Sequence, residues 1–278
     1  MPPHALFAAS AVFHYLGPSF AVLLFASIAP LGVAWLRIAL ASVALAVWQR
    51  VWRVFPRLGG RELRLVLALG VILAAMNSVF YLAISRLPLA TVGAIEFIGP
   101  VALAATGTKT PRNWMALGLA LLGLSCLLQI RFDLEPLGFA LAVANALLFC
   151  AYIVVGHHLA RAGGGTSSLE RLGAAMVVAA PLALPLGLYD ALPAFADAKL
   201  FAAALAVALT SSVIPYALDQ LAMQRLPRAS FALMLSILPA VATMVGFVVL
   251  GQQLLPAELL GVVLVMTGVA AHRPADSH

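Results

Sequence analysis

Long apolar runs, interrupted only by short clusters of Pro, Gly and charge, occupy most of the sequence from residue 6 to residue 272. A bilayer core of about 30 Å takes about 20 apolar residues per helix, so 278 residues with short connectors provide about ten spans. A membrane barrel would instead show alternating segments of about ten residues. Composition agrees, because 64% of the residues are hydrophobic and only 9% are charged. The sequence therefore predicts an all-α integral membrane protein.

The limits of the spans follow from the positions at which Pro, Gly and charge clusters interrupt the apolar runs. The first run lacks the basic start and the small-residue cleavage site of a signal peptide, so we interpret it as a span. The predicted spans cover residues 6–25, 29–48, 65–85, 89–107, 112–129, 137–157, 170–188, 200–223, 229–250 and 256–272.

Basic residues in the connecting loops indicate the orientation, because cytoplasmic loops retain positive charge. With both termini in the cytoplasm, 12 of the 16 Lys and Arg residues lie in cytoplasmic loops, three lie outside and Arg37 lies within a span. The outside loops instead hold Asp133, Glu135, Asp190, Asp197 and Glu258. The net charge of +6 is therefore better explained by membrane topology than by nucleic-acid binding.

A shift of 139 residues aligns the two halves of the chain. Residues 81–104, YLAISRLPLATVGAIEFIGPVALA, then lie over residues 220–243, QLAMQRLPRASFALMLSILPAVAT, with eight of 24 positions identical. The alignment includes an Arg-Leu-Pro turn and the prolines at 100 and 239. Because each half holds five spans, an odd number, the second half enters the membrane in the opposite sense. We predict two inverted five-helix repeats, residues 1–130 and 131–278, with the substrate site between them.

Ionisable side chains within a span cost at least about 2.5–3.5 kcal/mol each, so each needs a partner, water or a task. Five stand out, namely His14, Arg37, Glu96, His157 and Asp219. Glu96 lies seven residues into its span, at a depth of about 10 Å. It has two interpretations: it binds a substrate ammonium or a proton, or it forms a structural pair with Arg37 or a hydrogen bond to backbone.

Arg37 and Asp219 have structural interpretations. A guanidinium cannot shed its proton, so we interpret Arg37 as a structural charge that pairs or snorkels. Asp219 is four residues from the cytoplasmic end of its span, where it either pairs with Arg225 or faces the substrate.

The histidines are equally open. His14 precedes Gly17-Pro18, a possible helix break, and is either a cavity histidine or a packed neutral one. His157 and His158 end the sixth span and point to different helix faces, so they cannot form the i, i+4 pair of a zinc helix. We interpret them as interfacial side chains.

Helical spacing places further polar residues on shared faces. Asn77 and Tyr81 are i, i+4 on the third span, and Ser212, Tyr216 and Asp219 are i, i+4, i+7 on the eighth. Asn77 and Tyr216 are 139 residues apart and hold equivalent places in the two halves. Amides and phenols that face one another suit an amino acid or another small polar solute. The predicted substrate site comprises His14, Asn77, Tyr81, Glu96, Tyr152, Ser212, Tyr216 and Asp219.

Motifs of catalysis or ATP binding are absent from the sequence, which has no HExxH, no GxSxG and no P-loop lysine. We therefore expect no enzyme activity, no cofactor and no metal site. Any transport is driven by a gradient or is facilitated.

Three segments resemble the drug/metabolite transporter superfamily of EamA type, and most of all its threonine/homoserine exporter branch of bacterial inner-membrane proteins. They are APLGVAWLRIAL at 29–40, MNSVFYLAISRLPLATVGAIEFIGPVALA at 76–104 and SSVIPYALDQLAMQRLPRASFALMLSILPAVATMVGFVVLGQQLLP at 211–256. The resemblance implies ten helices in two inverted repeats, a central cavity and alternating access. It also matches Glu96 to the family's membrane glutamate before Gly-Pro, and Arg37 to its span-two arginine.

The chain departs from the family at several positions. Leu238 precedes the ninth-span proline where relatives usually carry an acid, and Gln252 follows Gly251 where Glu is common. Asp219 replaces a glutamate, and the first span has no lysine where the exporter branch can carry one. These differences leave proton coupling open and add methionine and aromatic amino acids, the substrates of the aromatic amino-acid exporter branch, to the expected range.

The expected function is export of L-amino acids by a multi-pass, monomeric protein of the bacterial inner membrane. Its expected partners are the amino-acid substrate and membrane lipid, without nucleic acid or ATP. Export of other small metabolites, such as nucleotide sugars, or of cationic drugs is the alternative, and it would require a more charged or more aromatic cavity.

Overall fold

The computed structural model describes residues 3–96, 110–127, 136–162, 165–227, 231, 234–251 and 256–271, and every regular element in these ranges is helical. The helices are α1 (Pro3–Leu24), α2 (Pro30–Gln49), α3 (Gly60–Ile84), α4 (Leu89–Glu96), α5 (Pro111–Leu127), α6 (Pro136–Ala160), α7 (Ser168–Ala196), α8 (Ala198–Arg225), α9 (Leu238–Leu250) and α10 (Pro256–Ala271). Short 3₁₀ turns cover Val51–Arg53, Phe55–Arg57 and Leu235–Ile237. The arrangement agrees with the predicted all-α class.

Five of these helices are long and apolar enough to cross a membrane: α2, α3, α6, α7 and α8. Two extend well past their predicted limits. The α3 helix begins at Gly60 because the Glu62 carboxylate accepts the backbone N–H of Gly59 at 3.0 Å, which caps the first turn. At 25 residues it is about 37 Å long, so its charged first turn extends beyond a bilayer core of about 30 Å.

The α7 helix is longer still, with 29 residues. Ser167 and Glu170 form a reciprocal capping box at its start, in which the Glu170 carboxylate accepts the N–H of Ser167 at 2.6 Å. The helix continues through Pro181, Pro185 and Pro193 to Ala196. Asp190 therefore lies in a helix, and the outside loop predicted at 189–199 shortens to Asp197. The Asp197 carboxylate caps α8 by accepting the N–H of Lys199 at 2.7 Å.

Several sequence predictions fall outside the described residues. They are the end of the fourth span at 97–107 with Pro100, Gln252, and the loop charges Lys109, Arg131, Asp133, Glu135, Arg228 and Arg273.

Helix packing repeats when the two halves are exchanged. The α1 helix packs on α8 and α9, and α6 packs on α3 and α4. In the same way, α2 packs on α8, and α7 packs on α3. Three further contacts join helices at the same place in the two halves: α2 with α7, α4 with α9 and α5 with α10. Each of these contacts therefore has a counterpart, or maps onto itself, when helices 1–5 exchange with helices 6–10, whereas the contact of α6 with α8 has no counterpart of comparable extent among the described residues.

Glycines bring particular helix pairs into close contact. A Cβ on Gly187 would lie 2.3 Å from the backbone oxygen of Leu31, and one on Gly32 would lie 2.6 Å from the backbone of Asp190, so α2 and α7 touch backbone to backbone. A Cβ on Gly17 would lie 2.2 Å from the Cβ of Ser211. The α1 helix continues through Pro18 without the break considered from the sequence, and Gly17 serves instead as the contact point with α8.

A buried ion pair joins the starts of α3 and α7. Arg171 donates to the Glu62 carboxylate at 3.1 Å and to the backbone oxygen of Thr166 at 2.7 Å, and its side chain is 2% exposed. Near it, Arg57 pairs with Glu170 at 3.2 Å, with side chains that are 49% and 21% exposed. The first turns of α3 and α7 therefore lie at the same end of the helix bundle.

Candidate substrate site

A small polar cavity lies where six helices meet. It is lined by His14, Tyr15 and Pro18 of α1, Arg37 of α2, Met76, Asn77 and Phe80 of α3, Glu96 of α4, Asn145 and Phe149 of α6, and Ser211 and Tyr216 of α8. Its volume of about 30 Å³ has room for a water molecule and is smaller than any amino acid. Larger contents would require helices or side chains to move.

Glu96 lies in the last described turn of α4 and is 8% exposed. Its carboxylate accepts the Asn145 amide N–H at 2.8 Å and the Tyr15 hydroxyl at 3.2 Å. Both donors are neutral, and among the described residues no cationic side chain lies within 4.0 Å of this carboxylate. The carbonyl oxygen of Asn145 is also buried without a hydrogen-bond donor. The carboxylate is held in place by neutral groups.

Arg37 belongs to the same cavity lining and is 5% exposed. The guanidinium donates to Ser212 Oγ at 2.7 Å, Tyr216 Oη at 2.9 Å and Tyr81 Oη at 3.2 Å. Its central carbon also lies 5.2 Å from the Tyr81 ring centre. The pairing with Glu96 and the snorkelling considered from the sequence are both absent: Arg37 is buried and bonds to neutral hydroxyls.

Asp219 is at the centre of a second polar group next to the cavity. It is fully buried, and its carboxylate accepts the Ser10 hydroxyl at 2.6 Å and the Tyr152 hydroxyl at 3.1 Å. His14 Nε2 lies 3.6 Å from the same carboxylate. The interfacial pair with Arg225 is therefore wrong, because α8 turns Asp219 toward α1 and α6. His14 lines the cavity and connects the two groups.

The equivalent residues of the two halves meet directly. Tyr216 Oη donates to Asn77 Oδ1 at 3.1 Å, and the Asn77 amide donates to the backbone oxygen of Leu73 at 2.6 Å. Residues 139 apart in sequence are thus joined by one hydrogen bond.

The eight predicted substrate residues fall into two classes. His14, Asn77, Glu96 and Tyr216 line the cavity. Tyr81 and Ser212 bond to Arg37, while Tyr152 and Asp219 bond to each other behind His14. His157 is separate from both, since its Nε2 is 3.3 Å from the backbone oxygen of Leu226, and His158 is exposed.

Sequence reasoning missed three functional groups, Ser10, Tyr15 and Asn145. Ser10 is i, i+4 from His14 and bonds to Asp219. Asn145 carries the only polar side chain in the apolar run from Leu137 to Ala151, apart from Cys150. An isolated amide at mid-span was the signal that could have identified it.

The arrangement is suited to binding a small solute. A carboxylate, a guanidinium and two amides surround the space, with the apolar side chains of Met76, Phe80 and Phe149 beside them. Such a lining matches a small solute that carries both charges and an apolar part.

Comparison with known proteins agrees with this lining. Residues 136–271 match the model of the EamA-like transporter family. The chain is 34% identical over 248 residues to the threonine/homoserine exporter RhtA of Escherichia coli K12, covering 88% of this chain and 82% of that protein. RhtA of Salmonella typhimurium LT2 is 32% identical over 247 residues with the same coverage. One solved crystal structure shares the fold at 17% identity, with a TM-score of 0.71 over 96% of this chain and 95% of that chain.

Proposed function

This chain belongs to the EamA-type family of the drug/metabolite transporter superfamily, and from that premise we propose that it exports L-amino acids across the bacterial inner membrane. Threonine and homoserine are the leading substrates, because the similar proteins named above are exporters of these two amino acids. Methionine and aromatic amino acids are the second set, which the apolar wall of the cavity favours.

The observation that carries the proposal is the buried carboxylate of Glu96, which has no cationic side chain within 4.0 Å among the described residues. It faces the cavity from the last described turn of α4 and bonds only to neutral donors in the described part of the chain. A substrate ammonium would supply the missing cation. His14, Asn77 and Tyr216 contribute to the same lining. Tyr81 and Ser212 accept hydrogen bonds from Arg37, while Asp219, which accepts the Tyr152 hydroxyl, lies 3.6 Å from His14.

The proposed architecture is ten spans in two inverted repeats, residues 1–130 and 131–278. The exchange of helix contacts between the halves supports it, as does the Asn77–Tyr216 bond across 139 residues. A cavity too small for an amino acid fits alternating access, in which the repeats move to admit the substrate from one side at a time. The transporter works as a monomer, without ATP, and has both termini in the cytoplasm.

Counterflow into proteoliposomes tests the proposal directly. Purified protein is reconstituted into proteoliposomes, which are loaded with homoserine or with one of the twenty amino acids. Uptake of radiolabelled threonine is then measured with and without a pH gradient. We expect threonine and homoserine to drive counterflow. Stimulation by the gradient would identify proton coupling, and its absence would identify facilitated transport.

Glu96→Gln is the matching variant. Loss of a charge-assisted bond of about 1.5–3 kcal/mol should lower the rate by about 10- to 100-fold while membrane insertion is unchanged. Glu170→Gln makes the same chemical change at a partly exposed carboxylate and is the control. Transport by Glu96→Gln at the control rate would exclude the proposed role of this carboxylate.

A further inference from the structure

Arg37 is a buried cation that forms no ion pair with a carboxylate in the described part of the chain. The structure brings its guanidinium to three hydroxyl oxygens, those of Ser212, Tyr81 and Tyr216, and to no carboxylate within 4.0 Å. It lies seven residues into α2, about 10 Å from the start of that helix.

Hydroxyl groups orient a guanidinium without neutralising it. Arginine keeps its proton in proteins, so the positive charge remains in the membrane interior. A guanidinium has five N–H donors, and the three hydroxyls take one each, including the single N–H of Nε. One donor remains on each terminal nitrogen, and two is the number that a carboxylate accepts from arginine in a bidentate pair.

Four aromatic and polar contacts fix the position of this group. Tyr81 and Tyr216 each present a hydroxyl to the guanidinium and a ring 5.2 Å and 5.9 Å from its central carbon. Tyr216 is itself held by Asn77. A side chain with this many constraints is preorganised to bind, because little of its freedom is left to lose.

We propose that Arg37 binds the α-carboxylate of the exported amino acid. Glu96 lines the same cavity and also has no ion-pair partner within 4.0 Å among the described residues, so a zwitterion placed between the two side chains would give each of them a contact of opposite charge. Met76, Phe80 and Phe149 remain for the substrate's side chain. This inference rests on the proposed function and assigns to Arg37 a binding role in place of the structural role that the sequence indicated.

The inference predicts selection for the carboxylate itself. The probes are L-threonine, L-threonine amide, which keeps the ammonium and lacks the carboxylate, and N-acetyl-L-threonine, which lacks the ammonium. Each competes with radiolabelled threonine in the proteoliposome assay, and the measured quantity is the ratio of inhibition constants for amide and acid. In the wild type we expect the amide to bind at least about tenfold more weakly than the acid.

Arg37→Gln removes the charge and keeps a hydrogen-bonding side chain. We expect a large loss of threonine transport. The ratio of the inhibition constants for amide and acid should fall toward one, while Glu96 should still select against N-acetyl-threonine. Arg37→Lys keeps a point charge without the bidentate fork, so transport should fall and part of the preference for the acid should remain.

Tyr81→Phe provides the matched variant. It removes one bond to the guanidinium and leaves the charge in place, so it should raise KM and preserve the ratio of amide to acid. If Arg37→Gln does not fold, the Arg37→Lys variant and the wild-type ratio still test whether Arg37 binds the carboxylate.

The outcomes separate the two proposals. Wild-type protein that transports threonine and accepts the amide equally well would overturn the role of Arg37 and leave the exporter intact. An unchanged ratio in Arg37→Gln would do the same. Failure of the wild type to transport any amino acid would overturn the proposed function and, with it, this inference.

Discussion

Gly93 makes room for one of the two donors to Glu96. It precedes Glu96 by three residues on α4, and a Cβ added there would lie 2.8 Å from Tyr15 Oη and 3.3 Å from Cζ of the same ring. Gly93→Ala should therefore displace the Tyr15 hydroxyl from the carboxylate and lower transport several-fold, about the value of one hydrogen bond to a charged group. Initial rates of threonine counterflow at equal protein amounts are the measurement.

Two variants make this prediction specific. Gly118→Ala on α5 has nothing within 4 Å of the added Cβ and should transport at the wild-type rate. Tyr15→Phe removes only the hydroxyl and should reproduce the defect of Gly93→Ala. A Gly93→Ala protein as active as Gly118→Ala would show that the Tyr15 bond does not matter for transport.

The residues of the site were predictable to different degrees. Glu96, Arg37 and Asp219 stand out from sequence because a charge in an apolar run is conspicuous. Their partners were not, since Asn145 is 49 residues from Glu96 and Ser10 is 209 residues from Asp219. Nothing local indicates which helices bring such residues together, so the sequence leaves Arg37 between pairing and snorkelling, and Asp219 between Arg225 and the substrate.

At the scale of helices, the buried pair of Glu62 and Arg171 holds α3 against α7. Removing one partner of a buried pair costs about 3–5 kcal/mol, because the remaining charge loses its compensation. Glu62→Gln can still accept the N–H of Gly59 and so isolates the effect of charge. We expect a clear drop in the melting temperature of the detergent-solubilised protein.

The neighbouring exposed pair provides the comparison. Arg57 and Glu170 are 49% and 21% exposed, and pairs of this kind contribute about 0–1 kcal/mol. Glu170→Gln should leave the melting temperature within a few degrees of the wild type. Equal shifts in Glu62→Gln and Glu170→Gln would mean that burial adds nothing to the first pair.

Helix limits were harder to predict than the all-α class. The sequence placed the start of α3 at 65 because Arg61, Glu62 and Arg64 read as loop charges, whereas capping by Glu62 begins the helix at Gly60. Packing faces were harder still. In α2 and α7 nearly every position is apolar, so periodicity does not mark the contact face, and it is Gly32 and Gly187 that determine where the backbones meet.

For the whole molecule, the shift of 139 residues was informative about packing. It paired Asn77 with Tyr216 before any contact was known, and these two side chains share a hydrogen bond. The same shift pairs Glu96 with Leu235 and Arg37 with Met176, both of which are buried apolar residues. The helix packing therefore follows the shift of 139 residues, whereas the charges do not. Both charged residues of the cavity lining, Glu96 and Arg37, lie in the first half of the chain.

Opposite orientation of the two halves is the last prediction. Gly60 and Ala198 lie at nearly equivalent places, since residue 60 matches residue 199 in the shifted alignment, and both are exposed. The loop at 49–64 carries five arginines, whereas 189–199 carries one lysine and two aspartates. Positive charge is retained in the cytoplasm, so the two positions should face opposite sides of the membrane.

Cysteine labelling measures this directly. In a background with Cys126 and Cys150 replaced by alanine, Gly60→Cys and Ala198→Cys are treated in intact spheroplasts with a membrane-impermeant maleimide. We expect Ala198→Cys to react at once and Gly60→Cys to react only after permeabilisation. Reaction of both from the same side would contradict the inverted repeat, because an odd number of spans must separate equivalent positions in the two halves.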